Sequence, residues 1–125
     1  MSKPEFQFGT NIAIKIPKDR YDDTLRFYRD TLGMKLIKAE DDSLAESWYC
    51  DSGNLRIWFD RVDTYSQTDI WLELKSDDMN HARELLRGSG VSFRDELEKL
   101  PEKLDGHWIS DPAGVVMLLC FDSNS

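Results

Sequence analysis

Few side chains in this sequence can stack on a ligand, move a proton or hold a metal, and their spacing decides which of these each can do. Four tryptophans, Trp48, Trp58, Trp71 and Trp108, all fall in strand-like sequence. An indole usually belongs to a core, but one that alternates out of the apolar face offers a flat surface to planar or cationic groups. Around them the polar candidates are sparse. Asn11 can hydrogen-bond a ligand or satisfy a strand end. Asp69 and Glu73 flank Trp71 and suit a cationic group, although Asp69 reads equally well as a solvated carboxylate opening a strand. His107, beside Trp108, has the chemistry of a general acid or base; without a partner base or nucleophile it reads as a polar strand residue. His81 sits beside an apolar helical stripe and reads as surface. Cys50 and Cys120 lie in apolar sequence with no histidine motif and read as core thiols.

These residues need strands and helices to position them. Ile12, Ile14 and Ile16 alternate with Asn11, Ala13 and Lys15, the period of a half-buried strand that Pro17 ends. Tyr21, Leu25, Tyr28 and Leu32 then form one helical stripe closed by Gly33, which predicts a helix over about 19–32. Strands are expected at Met34–Ala39, Glu46–Asp51 and Asn54–Asp60, with turns at Asp41-Asp42-Ser43 and Ser52-Gly53-Asn54. The pattern then restarts. Ile70, Leu72 and Leu74 alternate with Asp69, Trp71 and Glu73, and a helix is expected over about 77–88. Short strands follow at Val91–Phe93, His107–Ser110 and Val115–Phe121. Leu97–Leu104, charged and holding Pro101, reads as a loop.

The restart is a repeat. Ile70 follows Ile12 by 58 residues and Gly90 follows Gly33 by 57, close to half the 125-residue chain. The fold class that follows is α+β: two βαβββ modules, about 8–60 and 68–121, joined into a concave, barrel-like mixed sheet with the helices outside. Each Ile/Leu face packs under its own helix. The opposite face, carrying Asn11, Arg56, Trp58, Asp69, Trp71 and Glu73, is then expected to line a shared concave space.

Composition narrows the partners. Twenty-four acidic against sixteen basic residues give a formal charge of −8, which repels phosphate backbones and anionic lipid. Neither nucleic acid nor membrane is expected, and no apolar run is long enough to span a bilayer. The opening residues Met1-Ser2-Lys3-Pro4-Glu5 hold no apolar stretch of the secretory kind. With two isolated thiols, the expected location is the cytoplasm.

Two short segments carry a family resemblance. Leu25-Arg26-Phe27-Tyr28-Arg29-Asp30-Thr31-Leu32-Gly33-Met34 resembles the FYxxxLGF/M segment of the vicinal oxygen chelate superfamily, and Trp108-Ile109-Ser110-Asp111-Pro112-Ala113-Gly114 resembles its late DPxG element. That superfamily includes glyoxalase I, extradiol dioxygenases and bleomycin-resistance proteins. The resemblance implies the paired βαβββ fold and four pocket-facing positions that, in metal-dependent members, carry His, Glu or Gln around a divalent ion. Here the resemblance places Asn11, Trp58, Asp69 (or Trp71, if the register slips by two) and Leu118 at them. One carboxylate among an amide, an indole and an isobutyl group cannot hold a transition metal tightly. No metal and no cofactor are therefore expected, and no catalytic residue is assigned.

The sequence reads best as a metal-free small-molecule-binding protein of the bleomycin-resistance type, sequestering a cationic or aromatic compound. Its expected ligand-binding residues are Asn11, Trp58, Asp69, Trp71, Glu73, His107 and Leu118. The resemblance also implies a homodimer. The alternative is a metal-dependent lyase, isomerase or dioxygenase of the same superfamily, with ligands drawn from Glu46, Asp60, Glu73 and His107. A third reading is an assembly or regulatory partner whose pocket is vestigial.

Overall fold

A computed structural model describes residues 4–40 and 45–122; the turn expected at Asp41-Asp42-Ser43 lies outside them. The fold is mixed α+β, and its elements fall into two compact units. Residues 10–71 form one; residues up to Gly9, together with those from Leu72 onward, form the other.

In the first unit, β2 (Asn11–Pro17) runs parallel to β5 (Leu55–Val62), pairing Ala13 with Trp58 and Lys15 with Asp60. β4 (Ser47–Ser52) forms a hairpin with β5 through Gly53, whose φ of 59° is a conformation that glycine adopts without strain. The two-residue β3 (Ile37–Lys38) pairs with β4, and the first residues of β6 (Asp69–Ser76) pair antiparallel with β2. The helix α1 (Lys18–Arg26) buries Tyr21 and Leu25 against Ile16, Cys50 and Phe59, flanked by Ile14, Tyr28, Trp48 and Ile57. The Tyr21 hydroxyl donates to the Phe59 carbonyl at 2.6 Å, tying helix to sheet. Burial and the nearby carboxylates of Glu46 and Asp60 push that phenol well above its ordinary pKa, so it stays a donor.

The second unit repeats the plan. The remaining residues of β6 run parallel to β8 (Val116–Phe121), pairing Glu73 with Leu118, and β7 (Gly106–Ser110) pairs antiparallel with β8. The helix α2 (Met79–Gly88) starts at Asp78, whose carboxylate accepts the His81 backbone N–H at 3.1 Å as an N-cap. Its buried Met79 and Ala82 meet Ile109 and Leu119, with Phe6, Leu74, Phe93 and Met117 around them. Asp111 closes the β7–β8 turn, its Oδ1 accepting the N–H groups of Ala113 and Val115. Among the described residues no helix is long and apolar enough to cross a membrane.

Several boundaries differ from the sequence expectation. The first helix is not continuous to residue 32: α1 stops at Arg26 and a wider π-helical turn covers Phe27–Thr31. It closes with Leu32 N–H on the Phe27 carbonyl and Met34 N–H on the Tyr28 carbonyl, with Gly33 at φ 73°. This widening leaves Phe27 and Leu32 exposed, so the apolar stripe ends at Tyr28. The strand expected at Met34–Ala39 shrinks to β3, and the one at Val91–Phe93 to a single bridge between Phe93 and Ile109. A strand not anticipated, β1 (Phe6–Phe8), pairs with Leu74–Ser76. It is too short to show a period.

The Tyr21 contact supplies a test of the core. Tyr21→Phe should lower stability by about 1 kcal/mol, read as a lower urea midpoint with an unchanged m-value.

Candidate functional site

Alternation decides what each strand shows to the face away from α1. Ile57 and Phe59 pack under the helix, so Arg56, Trp58 and Asp60 point the other way, as do Asn11, Ala13 and Lys15 on β2. Tyr49 and Ser47 join them from β4, opposite Trp58 and Asp60. Asp69 and Trp71 join from β6, opposite Lys15 and Ala13. The first unit thus carries one polar and aromatic face, backed by the apolar core under α1.

At its base lies a buried charge. Lys15 is only 1% exposed, and its Nζ donates to Asp60 Oδ2 at 2.7 Å; Asp60 is 4% exposed. The Ser47 hydroxyl donates to the other oxygen of Asp60. The Lys15 ammonium also lies 4.2 Å from the centre of the Trp71 ring, and the Trp71 indole donates to Asp69 Oδ2 at 3.0 Å. Asp69 Oδ1 accepts the backbone N–H of Ile70 as well. Toward the strand ends, the Trp58 indole donates to Asn11 Oδ1 at 2.8 Å, and its ring meets Tyr49 at a centroid distance of 5.0 Å.

The expected site residues therefore fall into three places. Asn11 and Trp58 are hydrogen-bonded to each other, and Asp69 and Trp71 likewise, all in the first unit. Trp71 is 2% exposed with Lys15 on its ring, so its cation-accepting surface already holds a cation of this chain. Glu73 and Leu118 are paired in the second unit, on the face away from α2. Glu73 is buried and accepts from the Cys120 thiol at 3.9 Å, and burial with this carboxylate pushes the thiol up to about 11. Gly9 accommodates that glutamate: a Cβ there would stand 1.9 Å from Glu73 Oε1.

His107 sits elsewhere. It shares the helix-facing side of β7 with Ile109, its ring is 4.6 Å from Phe93, and both its nitrogens are engaged. Nδ1 meets Asp95 at 2.8 Å, and Nε2 accepts from Arg83 Nε at 2.9 Å, which assigns the Nδ1–H tautomer. Asp95 also accepts the Trp108 N–H, and the Trp108 indole donates to the Glu98 carbonyl, so both residues hold the 94–105 loop onto β7. Trp108 itself is buried.

The register adds a correction. Lys15 pairs with Asp60 across β2 and β5, and Glu73 pairs with Leu118 across β6 and β8. Lys15 and Glu73 are separated by the same 58 residues as the repeat, so the equivalent of Leu118 is Asp60 and that of Trp58 is Val116. Trp58 and Leu118, both placed at pocket positions by the resemblance, are 60 residues apart and so are not equivalent in this register. Two further residues belong to the face: Lys15, which shares the alternation of Asn11, and Tyr49, which joins through the pairing of β4 with β5.

The profile of the Glyoxalase/Bleomycin resistance protein/Dioxygenase superfamily matches residues 12–119. Against curated protein sequences the chain has no match. Among solved structures, it is similar to a hypothetical protein from Bacillus halodurans C-125, with TM-score 0.65, 14% identity and 97% of each chain covered. Methylmalonyl-CoA epimerase from Mycobacterium tuberculosis gives TM-score 0.63 at 17% identity, covering 93% of this chain and 87% of the epimerase. The Mn(II)-bound glyoxalase from Novosphingobium aromaticivorans gives 0.64 at 15% identity, covering 95% of this chain and 40% of that one. At these identities the likeness is one of fold.

The buried pair at the base of the face makes its own prediction. Lys15→Met leaves Asp60 without its counter-ion and should cost about 3–5 kcal/mol in urea unfolding. Adding Asp60→Asn, which removes the stranded charge, should recover part of that loss.

Proposed function

Because the chain belongs to the Glyoxalase/Bleomycin resistance protein/Dioxygenase superfamily, we propose that it binds a small planar or cationic molecule on the Trp58 face without using a transition metal. The observation that carries this reading is the pairing of Trp58 with Asn11 at 2.8 Å. One position that bears a ligand in metal-dependent relatives is here Asn11, the amide that orients a partly buried indole beside the Tyr49 ring. A fixed aromatic surface with an adjacent polar group is what recognition of a flat molecule needs.

A metal does not fit these residues. Asp69, the carboxylate that opens β6, already accepts two N–H groups. The substitutes considered from sequence are committed as well. Glu46 accepts from the Trp48 indole, Asp60 from Lys15 and Ser47, Glu73 from Cys120, and His107 is held at both nitrogens. No step is therefore routed through a metal. Asp69 remains part of the proposed ligand environment of the Trp58 face; Glu73 and Leu118, expected from sequence to bind ligand, lie in the second unit, and His107 belongs to the loop it secures.

The same proposal places the protein in the cytoplasm and has it pair with a second copy of itself. The two free, buried thiols support a reducing compartment. The family resemblance and the exposed Phe8 (69%) and Phe121 (50%) support self-association.

A thermal-shift panel of planar aromatics and organic cations tests the binding role. A ligand at a hundred times its dissociation constant should stabilise the protein by about 2.7 kcal/mol. Trp58→Ala should abolish the shift with little loss of fold, and chelators should leave it unchanged. A shift that survives Trp58→Ala, or disappears with chelator, would overturn the reading. Equilibrium sedimentation should show twice the 14.5 kDa chain mass at micromolar concentration; a monomer would remove the dimer.

A further inference from the structure

Among the described residues of the first unit, Lys15 and Arg56 each lie on an aromatic ring, and they differ in one respect. Lys15 on Trp71 is buried and ion-paired with buried Asp60. Arg56 is at the surface: its guanidinium carbon lies 4.2 Å from the centre of the Tyr49 ring and 5.8 Å from that of Trp58. Its Nε and Nη2 both donate to Asp51, at 2.7 and 3.1 Å, with the Arg56 and Asp51 side chains 41% and 53% exposed. The hydrogen bonds draw Asp51 below the ordinary carboxylate range. Tyr49, Trp58 and Asp51 thus already form a complete receptor for one chemical shape: a flat cation presenting two parallel N–H donors, with a ring beneath it and a carboxylate at its edge.

We propose that Arg56 is the internal occupant of a recognition site for planar organic cations of the amidinium or guanidinium type, formed by Tyr49, Trp58 and Asp51. This rests on the binding role proposed for the Trp58 face and names its ligand class. The occupant is exchangeable. An exposed Arg–carboxylate pair and an exposed cation–π contact are each weak, and solvent receives the displaced guanidinium at little cost. A ligand with the same fork and a larger aromatic body keeps both contacts and adds stacking on Trp58. The chain's charge of −8 raises the local concentration of such cations. Arg56 then acts as a built-in competitor, setting a threshold that small ammonium ions, which lack the planar fork, do not pass.

The test measures phenylguanidinium binding by calorimetry to the full chain and to two surface variants. Arg56→Gln removes the competitor and should tighten binding about tenfold, whereas Asp51→Asn removes the edge carboxylate and should weaken it at least tenfold. Tetramethylammonium, matched in charge but without N–H donors, should gain nothing from Arg56→Gln. Unchanged or weaker phenylguanidinium binding in Arg56→Gln would overturn the proposal, as would Asp51→Asn binding that equals wild type. If neither wild type nor Arg56→Gln binds phenylguanidinium while other compounds give a Trp58-dependent thermal shift, the ligand class fails and the binding role stands.

Discussion

The first unit is organised around an ammonium group that water does not reach. Burying Lys15 is costly unless its charge is met, and among the groups that meet it are the Trp71 ring and the Asp60 carboxylate, itself held by the Ser47 hydroxyl. These come from β2, β5, β6 and β4, so one cation requires four strands to be in register at once. A slip of one residue in any of them would turn its contribution to the helix side and strand the charge. The apolar core under α1 supplies most of the burial, but many repackings would satisfy it. The ion pair admits one arrangement.

That arrangement also explains why the face resembles a ligand site and yet differs from a metal site. Residues that would serve as donors elsewhere are spent on one another: Asn11 on Trp58, Asp69 on Trp71, Asp60 on Lys15. What remains is aromatic surface at Tyr49 and Trp58, with polar groups at its edge. The fold is shared with an epimerase and a Mn(II)-bound glyoxalase, and the chemistry is set by the side chains on one sheet face.

Much of this was legible in the sequence, because a period of two states which face a residue occupies. Ile57 and Phe59 were enough to put Trp58 opposite the helix, and Ile14 and Ile16 did the same for Asn11. Lys15 was harder to read, since a lysine in a strand ordinarily signals solvent; only the parallel register of β2 with β5 shows that Asp60 stands beside it. His107 carried a usable signal that went unused: it shares parity with Ile109, a core residue, and so belongs on the helix side. The π-helical turn had no signal, because the stripe through Leu32 fits an ordinary helix and the widening appears only in the hydrogen bonds. β1 escaped because three residues cannot show alternation.

β1 also has a consequence in time. Phe6 and Phe8 pair with Ser76 and Leu74, residues made about 70 positions later. At the usual 5–20 residues per second, a growing chain carries this short aromatic segment for roughly 3–14 seconds before its partner exists. Residues 10–71, by contrast, form a compact unit of their own. Synthesis therefore delivers the unit with Lys15 and Trp58 before β1 can find its place. During that interval Phe6-Gln7-Phe8 is an open edge that a chaperone, or a neighbouring nascent chain, meets before β6 does.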